Sequence, residues 1–171
     1  LISMSTSTSP VAGIAGQGLR FDGVNDYIIV SDSASLETSV ITVSAWVKGI
    51  FGSGYRTIAL RYTPDATWQF MVLNNVLKWN VDGIGGVNWD LVNGIGTKTI
   101  NDNMWHHVVA VYDGTQGYVY VDGVLDTSGG NAGSIRTTGA SPLMIGTYLS
   151  GDQQLNGSID EVRIYNRALS A

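Results

Sequence analysis

Residues 157–171 read GSIDEVRIYNRALSA, an alternating apolar run with two adjacent carboxylates in it. In a strand, successive side chains point to opposite faces, so Asp160 and Glu161 cannot act together on one substrate atom. Simple alternation puts Ile159, Glu161, Arg163 and Tyr165 on one face and Asp160, Val162 and Ile164 on the other, which is expected to be buried. An ionised carboxylate among apolar side chains needs a cation or several hydrogen-bond donors. Asp160 therefore requires a partner, and Glu161 does not.

The same period-2 pattern recurs along the chain. Charged residues make up only 13% of the 171, Gly numbers 22, and Val, Ile, Thr, Tyr and Trp are plentiful, a composition suited to strands and tight turns. Strand-like runs include DYIIVS (26–31), ITVSAWVKG (41–49), RTIALRY (56–62), WQFMVLN (68–74), VLKWNVD (76–82), MWHHVVAVYD (104–113), GYVYVDG (117–123), LMIGTY (143–148) and SIDEVRIYN (158–166). Turn signals between them fall roughly every 8–12 residues, as in a β-sandwich. Asp122-Gly123 supplies the pair tolerant of positive φ that a type I′ hairpin demands, and Asp113-Gly114 marks a second turn. The SGGNAGS stretch (128–134) is expected to be an exposed, mobile loop. Neither a long amphipathic helix nor an internal repeat is visible.

A net charge of −5 argues against a nucleic-acid partner, since phosphate binding draws its affinity from Lys and Arg. Without Cys there is neither a disulfide framework nor a Cys zinc site. No apolar run reaches membrane-spanning length. Residues 1–18, opening LISMSTSTSP, read as a linker or N-terminal extension to a single domain over 19–171.

Five stretches, LRFDGVNDYIIV, ITVSAWVK, WHHVVAVYDG, GYVYVDGVL and LNGSIDEVRIYNRALS, stand in an order that resembles the concanavalin A-like, laminin G-like jelly-roll domains. The resemblance covers about residues 19–170. It implies an all-β, two-sheet antiparallel jelly-roll sandwich with ligand sites on a concave face or on rim loops. Because that sandwich hosts lectins, adhesion modules, accessory domains and hydrolases, the resemblance is specific for fold more than for function.

It also implies a structural Ca²⁺ joining the approach to the first strand to the Asp of the last, the position of Asp160. FDGVNDY gathers Asp22, Asn25 and Asp26 around Gly23 on a turn, a dense group of oxygens of the kind Ca²⁺ accepts. Asp160 with Asp22 and Gly23, and Asn25 and Asp26 beside them, are the expected metal ligands. Alternatively, Asp160 accepts backbone N–H bonds and DGVND is an Asx turn.

His106 and His107 face opposite ways in a strand and read as framework, one packed and one nearer solvent. Among the Trp residues, alternation assigns Trp68, Trp79 and Trp105 to the core and turns Trp46 to the second face of its sheet, with Thr42, Ser44 and Lys48. Trp89, flanked by Asn88 and Asp90 in a Gly-rich segment, is the first candidate for an exposed ligand platform, followed by Tyr55 and Tyr148 in loop-like contexts. No phosphate-binding loop or nucleophile elbow is present. Nor is there a pair of acids two apart on one strand, as hydrolases of this sandwich use to bring carboxyl groups to about 5–5.5 Å. The expected function is a non-catalytic extracellular module binding a glycan or a protein ligand, attached to other domains of a secreted or surface protein. A structural or adhesive spacer without a glycan site is the alternative.

Overall fold

The computed structural model describes residues 2–3, 9–62, 67–83, 91–136, 141–148 and 151–170. In chain order the strands are β1 Ile2–Ser3, β2 Val11–Ala12, β3 Gln17–Asp22, β4 Tyr27–Val30, β5 Ile41–Gly49, β6 Tyr55–Arg61, β7 Trp68–Leu73, β8 Val76–Val81, β9 Val92–Thr99, β10 His106–Tyr112, β11 Gly117–Val121, β12 Val124–Gly129, β13 Leu143–Ile145 and β14 Asn156–Tyr165. Among the described residues they form two antiparallel seven-stranded sheets, β1-β4-β13-β6-β7-β8-β9 and β12-β11-β10-β5-β14-β3-β2. The chain is the two-sheet jelly-roll sandwich that the five motifs imply.

Alternation explains why each strand buries one side. Val43, Ala45 and Val47 of β5 and Val108 and Ala110 of β10 point inward and meet Trp68, Phe70, Trp79 and Val81 from the other sheet, all at most 1% exposed. The Trp79 indole stands edge-on to Phe70 at 88° and donates to the Val111 carbonyl at 3.1 Å, so its one polar atom is satisfied inside the core. Trp68 and Trp79 occupy the interior as their neighbours predict. Trp105 does not: it is half-buried outside the core cluster, and its ring lies over Gly18. It precedes the first paired residue of β10, so strand alternation does not govern it.

The predicted hairpin turn forms between β11 and β12, with Asp122 and Gly123 at φ 54° and 78°. An equivalent turn at Asn74-Asn75 joins β7 to β8, at φ 49° and 74°, where two Asn residues tolerate the left-handed region. The 128–134 stretch is exposed throughout, as expected, but it is tied down: the Tyr112 hydroxyl bonds the carbonyls of Asn131 and Gly133 at 2.9 and 3.0 Å. Residues 11–18, expected to belong to an extension, are paired into the sheet, with β2 running antiparallel to β3.

The decisive departure from simple alternation lies in β14. Against β5, Asp160 pairs with Trp46 but Arg163 pairs with Ser44, so three steps on one strand oppose two on the other. This is a β-bulge, and Glu161 sits in it at φ 50°. The extra residue reverses the phase. Ile159 opposite Val47 and Ile164 opposite Val43 both face the core, while Asp160 shares the outer face with Trp46, Arg163 and Tyr165. The face assignment made from the sequence is thereby corrected at Ile159 and Asp160.

Candidate functional site

The outer face of the second sheet is built from the side chains that alternation turns away from the core. β5 contributes Thr42, Ser44 and Trp46; β10 sets His107 beside Trp46 and Val109 beside Ser44; β14 sets Arg163 and Tyr165 on the opposite flank. With Tyr120 from β11 they line a groove of about 470 Å³. The Trp46 and His107 rings lie 5.2 Å apart, tilted by 41°. One end is closed by the segment after β14, because the Thr42 hydroxyl donates to the Arg167 carbonyl at 2.8 Å and accepts from the Leu169 N–H at 3.0 Å. Apolar rings on the floor and polar groups around them make a surface for a ligand that has both an apolar face and hydroxyls.

The polar groups are arranged by charge. Glu161, aimed by the bulge, forms an ion pair with Arg163, and hydrogen bonds to Glu161 and Tyr165 raise the guanidinium's pKa further. Burial depresses the His107 pKa against the pull of Asp122, and the Arg163 guanidinium adds to the depression. At neutral pH His107 is thus an uncharged donor and acceptor in the groove wall. His106, on the other side of the strand, places each ring nitrogen 3.0 Å from a carboxylate oxygen, of Asp122 and Asp102. Burial works against its protonation, but those two carboxylates outweigh it and raise its pKa. Asp122 also accepts from the His107 N–H and from Lys98, each at 3.0 Å, so it fixes the hairpin turn against β10.

Asp160 is buried beside this groove, 7% exposed, and its partners are backbone donors. Oδ2 accepts from the N–H groups of Ile14 and Ala15 at 2.7 and 3.1 Å, and Oδ1 from the N–H of Glu161 at 2.8 Å. The Gly13 loop presses so close that a Cβ there would lie 2.3 Å from the carboxylate. Asp22 is elsewhere: it pairs with Asn156, four residues from Asp160 and hence about 13 Å along the strand. Its Oδ1 accepts from the N–H groups of Val24 and Asn25, at 2.8 and 3.2 Å, closing an Asx turn around Gly23, and Asp26 accepts from the Asp22 N–H at 2.9 Å. The five expected ligands thus fall in two places, Asp160 under the Gly13 loop and Asp22, Gly23, Asn25 and Asp26 at the turn, and among the described residues no three or more His, Cys, Asp or Glu stand together as a metal-binding group.

Of the aromatic platform residues expected from loop context, the two that are described, Tyr55 and Tyr148, are not among the residues lining the groove. Tyr55 is exposed at the start of β6, in the other sheet. Tyr148 packs its ring on Tyr62 at 5.0 Å, and burial together with a hydrogen bond to Tyr62 raises its pKa. Trp89, Asn88 and Asp90 lie outside the described residues. Trp46 faces outward as alternation predicts; Tyr120 and Tyr165 could have been found by the same rule, since they alternate with buried Val119 and Val121 and with core-packed Ile164. Arg163 and Glu161 could not be placed without the bulge.

Two stacked antiparallel sheets with one outer face left open as a groove of rings define a jelly-roll sandwich of the lectin type. The chain belongs to the concanavalin A-like lectin/glucanases superfamily, whose family profile matches residues 22–171. Among solved structures it is similar to the binding domain of Paraclostridial Mosquitocidal Protein 1, with a TM-score of 0.77 and 19% identity over 99% of this chain and 45% of that one. Another is domain 4 of AbnA, a GH43 extracellular arabinanase from Geobacillus stearothermophilus, in complex with arabinotriose: TM-score 0.71, 23% identity, 94% and 76% coverage. A third is the botulinum neurotoxin serotype G binding domain, with TM-score 0.70, 15% identity, 99% and 44% coverage. At these identities the likeness establishes the fold. The chain spans less than half the length of the mosquitocidal-protein and neurotoxin binding domains. No curated protein sequence matches it.

Proposed function

We propose that the chain is a non-catalytic module that binds a glycan in the groove between Trp46 and Tyr165, as part of a larger secreted or surface protein. The observation that carries this is the groove itself, where Trp46, Tyr120 and Tyr165 offer ring faces and His107, Ser44 and the Glu161–Arg163 pair offer hydrogen bonds. A sugar has the matching character, with apolar C–H faces for the rings and hydroxyls for the polar rim. The arabinanase domain bound to arabinotriose and the mosquitocidal-protein and neurotoxin binding domains share this sandwich, which favours binding over turnover. Glycoside hydrolysis needs two carboxyl groups flanking the scissile bond. Glu161 is the one acid among the residues lining the groove, and it is already paired with Arg163.

Calorimetric titration of the chain with arabinotriose and a panel of neutral oligosaccharides tests the reading, with Trp46→Ala as the groove variant. Binding of any of these glycans that Trp46→Ala weakens supports it. Binding unaffected by Trp46→Ala would overturn the groove as the site, and no binding to the whole panel supports a spacer without a glycan site.

A further inference from the structure

The identity of the residue in the β14 bulge is not explained by the fold alone. The bulge holds one residue in the left-handed region, Glu161 at φ 50°. Gly would take that conformation without steric cost. What Glu adds is a carboxylate, and it adds it in the wall of the groove. Its ion pair with Arg163 does not repay the strain, because the two side chains are 31% and 60% exposed and pairs open to solvent contribute little to stability. Backbone strain kept for a side chain that the fold can do without is a mark of function.

The same exposure leaves the pair open to a ligand. Among the described residues that line the groove, Glu161 is the one acid and Arg163 the one guanidinium. With His107 held uncharged at neutral pH, their charges cancel and the groove carries no net charge. Glu161 Oε2 accepts from Arg163 Nη2, and Tyr165 bonds the same guanidinium. A carboxylate has several acceptor positions and a guanidinium several donors, so acceptors and donors remain over, side by side. A hydroxyl both donates and accepts. Two hydroxyls on adjacent carbons therefore match the pair, one donating to Glu161 and the next accepting from Arg163 in charge-assisted bonds. Register keeps a ring within reach, since Arg163 pairs with Ser44, two residues along β5 from Trp46.

We propose that the Glu161–Arg163 pair is the specificity-determining contact of the groove and reads a vicinal diol on an uncharged sugar. This rests on the glycan reading of the groove and adds to it the class of sugar. A uronic acid is disfavoured, because its carboxylate either faces Glu161 or has to take Arg163 away from it. A sugar without one of the two hydroxyls leaves a charged group short of its partner.

The full chain is titrated with the methyl glycosides of arabinose, xylose, glucose, galactose and mannose, with the monodeoxy forms of each, and with glucuronate and galacturonate. Dissociation constants are read from backbone amide shifts in ¹⁵N NMR spectra. The expected signature is positional: loss of either of two adjacent hydroxyls weakens binding about ten-fold or more, loss of any other does not, and each uronate binds more weakly than its neutral counterpart. Glu161→Gln should weaken the neutral sugar about ten-fold and strengthen the uronates, because Arg163 is released; Arg163→Gln should weaken the neutral sugar by a similar factor without that gain. Glu161→Gln keeps the length of the side chain and Arg163→Gln leaves the bulge residue in place, so a folding defect in one does not remove the test. Weakening spread evenly over all hydroxyls, uronates bound as tightly as neutral sugars, or neutral binding unchanged in both variants would overturn the diol contact. Binding that Trp46→Ala weakens but neither of these variants changes overturns the diol contact alone, whereas no binding of any sugar overturns it together with the groove.

Discussion

The outer face of the second sheet divides at the Glu161 bulge into two halves that treat their carboxylates in opposite ways. On one side Asp160 is roofed by the Gly13–Gly16 loop and held by three backbone N–H groups. On the other, one residue along, Glu161 stands in the wall of an open groove and pairs with Arg163. The difference is one of solvation. A carboxylate that is taken out of water must be met by donors and becomes part of the fold, whereas one at the edge of a groove keeps its freedom to exchange partners with a ligand. A single inserted residue, at the cost of a left-handed backbone, puts both on one strand.

The largest effect is expected from Asp160→Ala, which strands the N–H groups of Ile14, Ala15 and Glu161. Losing three part-buried hydrogen bonds at about 1 kcal/mol each costs about 3 kcal/mol, and thermal melting should show a midpoint lower by roughly 6–12 °C for a chain of this size. A chelator should leave the wild-type midpoint unchanged, since the clasp is made of hydrogen bonds. A drop on adding EDTA would mean that an ion, and not the loop's N–H groups, holds this half of the face.

On the open half, Trp46→Ala should weaken glycan affinity about ten- to hundred-fold with little change in melting, because the ring is only half-buried. Glu161→Gly sharpens the contrast further. It relieves the positive φ and removes the carboxylate, so stability should rise by about 0.5 kcal/mol while affinity falls. If stability falls instead, the bulge is held by the Glu161–Arg163 pair and not imposed on it.

The smallest effect concerns pH. His106 has a folded pKa raised by Asp122 and Asp102, so its contribution is complete below the unfolded value near 6.5 and is lost as pH rises through the folded value. Melting curves should therefore show stability declining as pH rises from about 6.5 through the folded value, and His106→Asn should flatten that decline. Asp102 and Asp122, both held below the ordinary carboxylate value, act in the other direction and lose their contribution as pH falls through their folded pKa values.

Much of the fold was legible from residues: period-2 strands, the Asp122-Gly123 turn, and the buried Trp68 and Trp79 all follow from local pattern. β9 was missed because VNGIGTKT (92–99) is Gly-rich and weakly strand-forming; in the structure Asp126 holds it, accepting the N–H groups of Thr97 and Lys98. The groove was harder. Trp46 could be turned outward by alternation, but its neighbours come from β10, β11 and β14, and cross-strand register is not written in any one strand. The bulge carries no compositional mark, since Glu161 is neither Gly nor Asn, and that one residue decided which face Asp160 took.

The central claim is that the open half of the face receives a glycan. Paired titrations of the wild-type chain and Trp46→Ala with the neutral oligosaccharide panel, at matched fold as judged by circular dichroism, test it most directly. Saturable binding by the wild type, weakened at least about ten-fold in the variant, is the predicted result; equal affinity in the two proteins would contradict it.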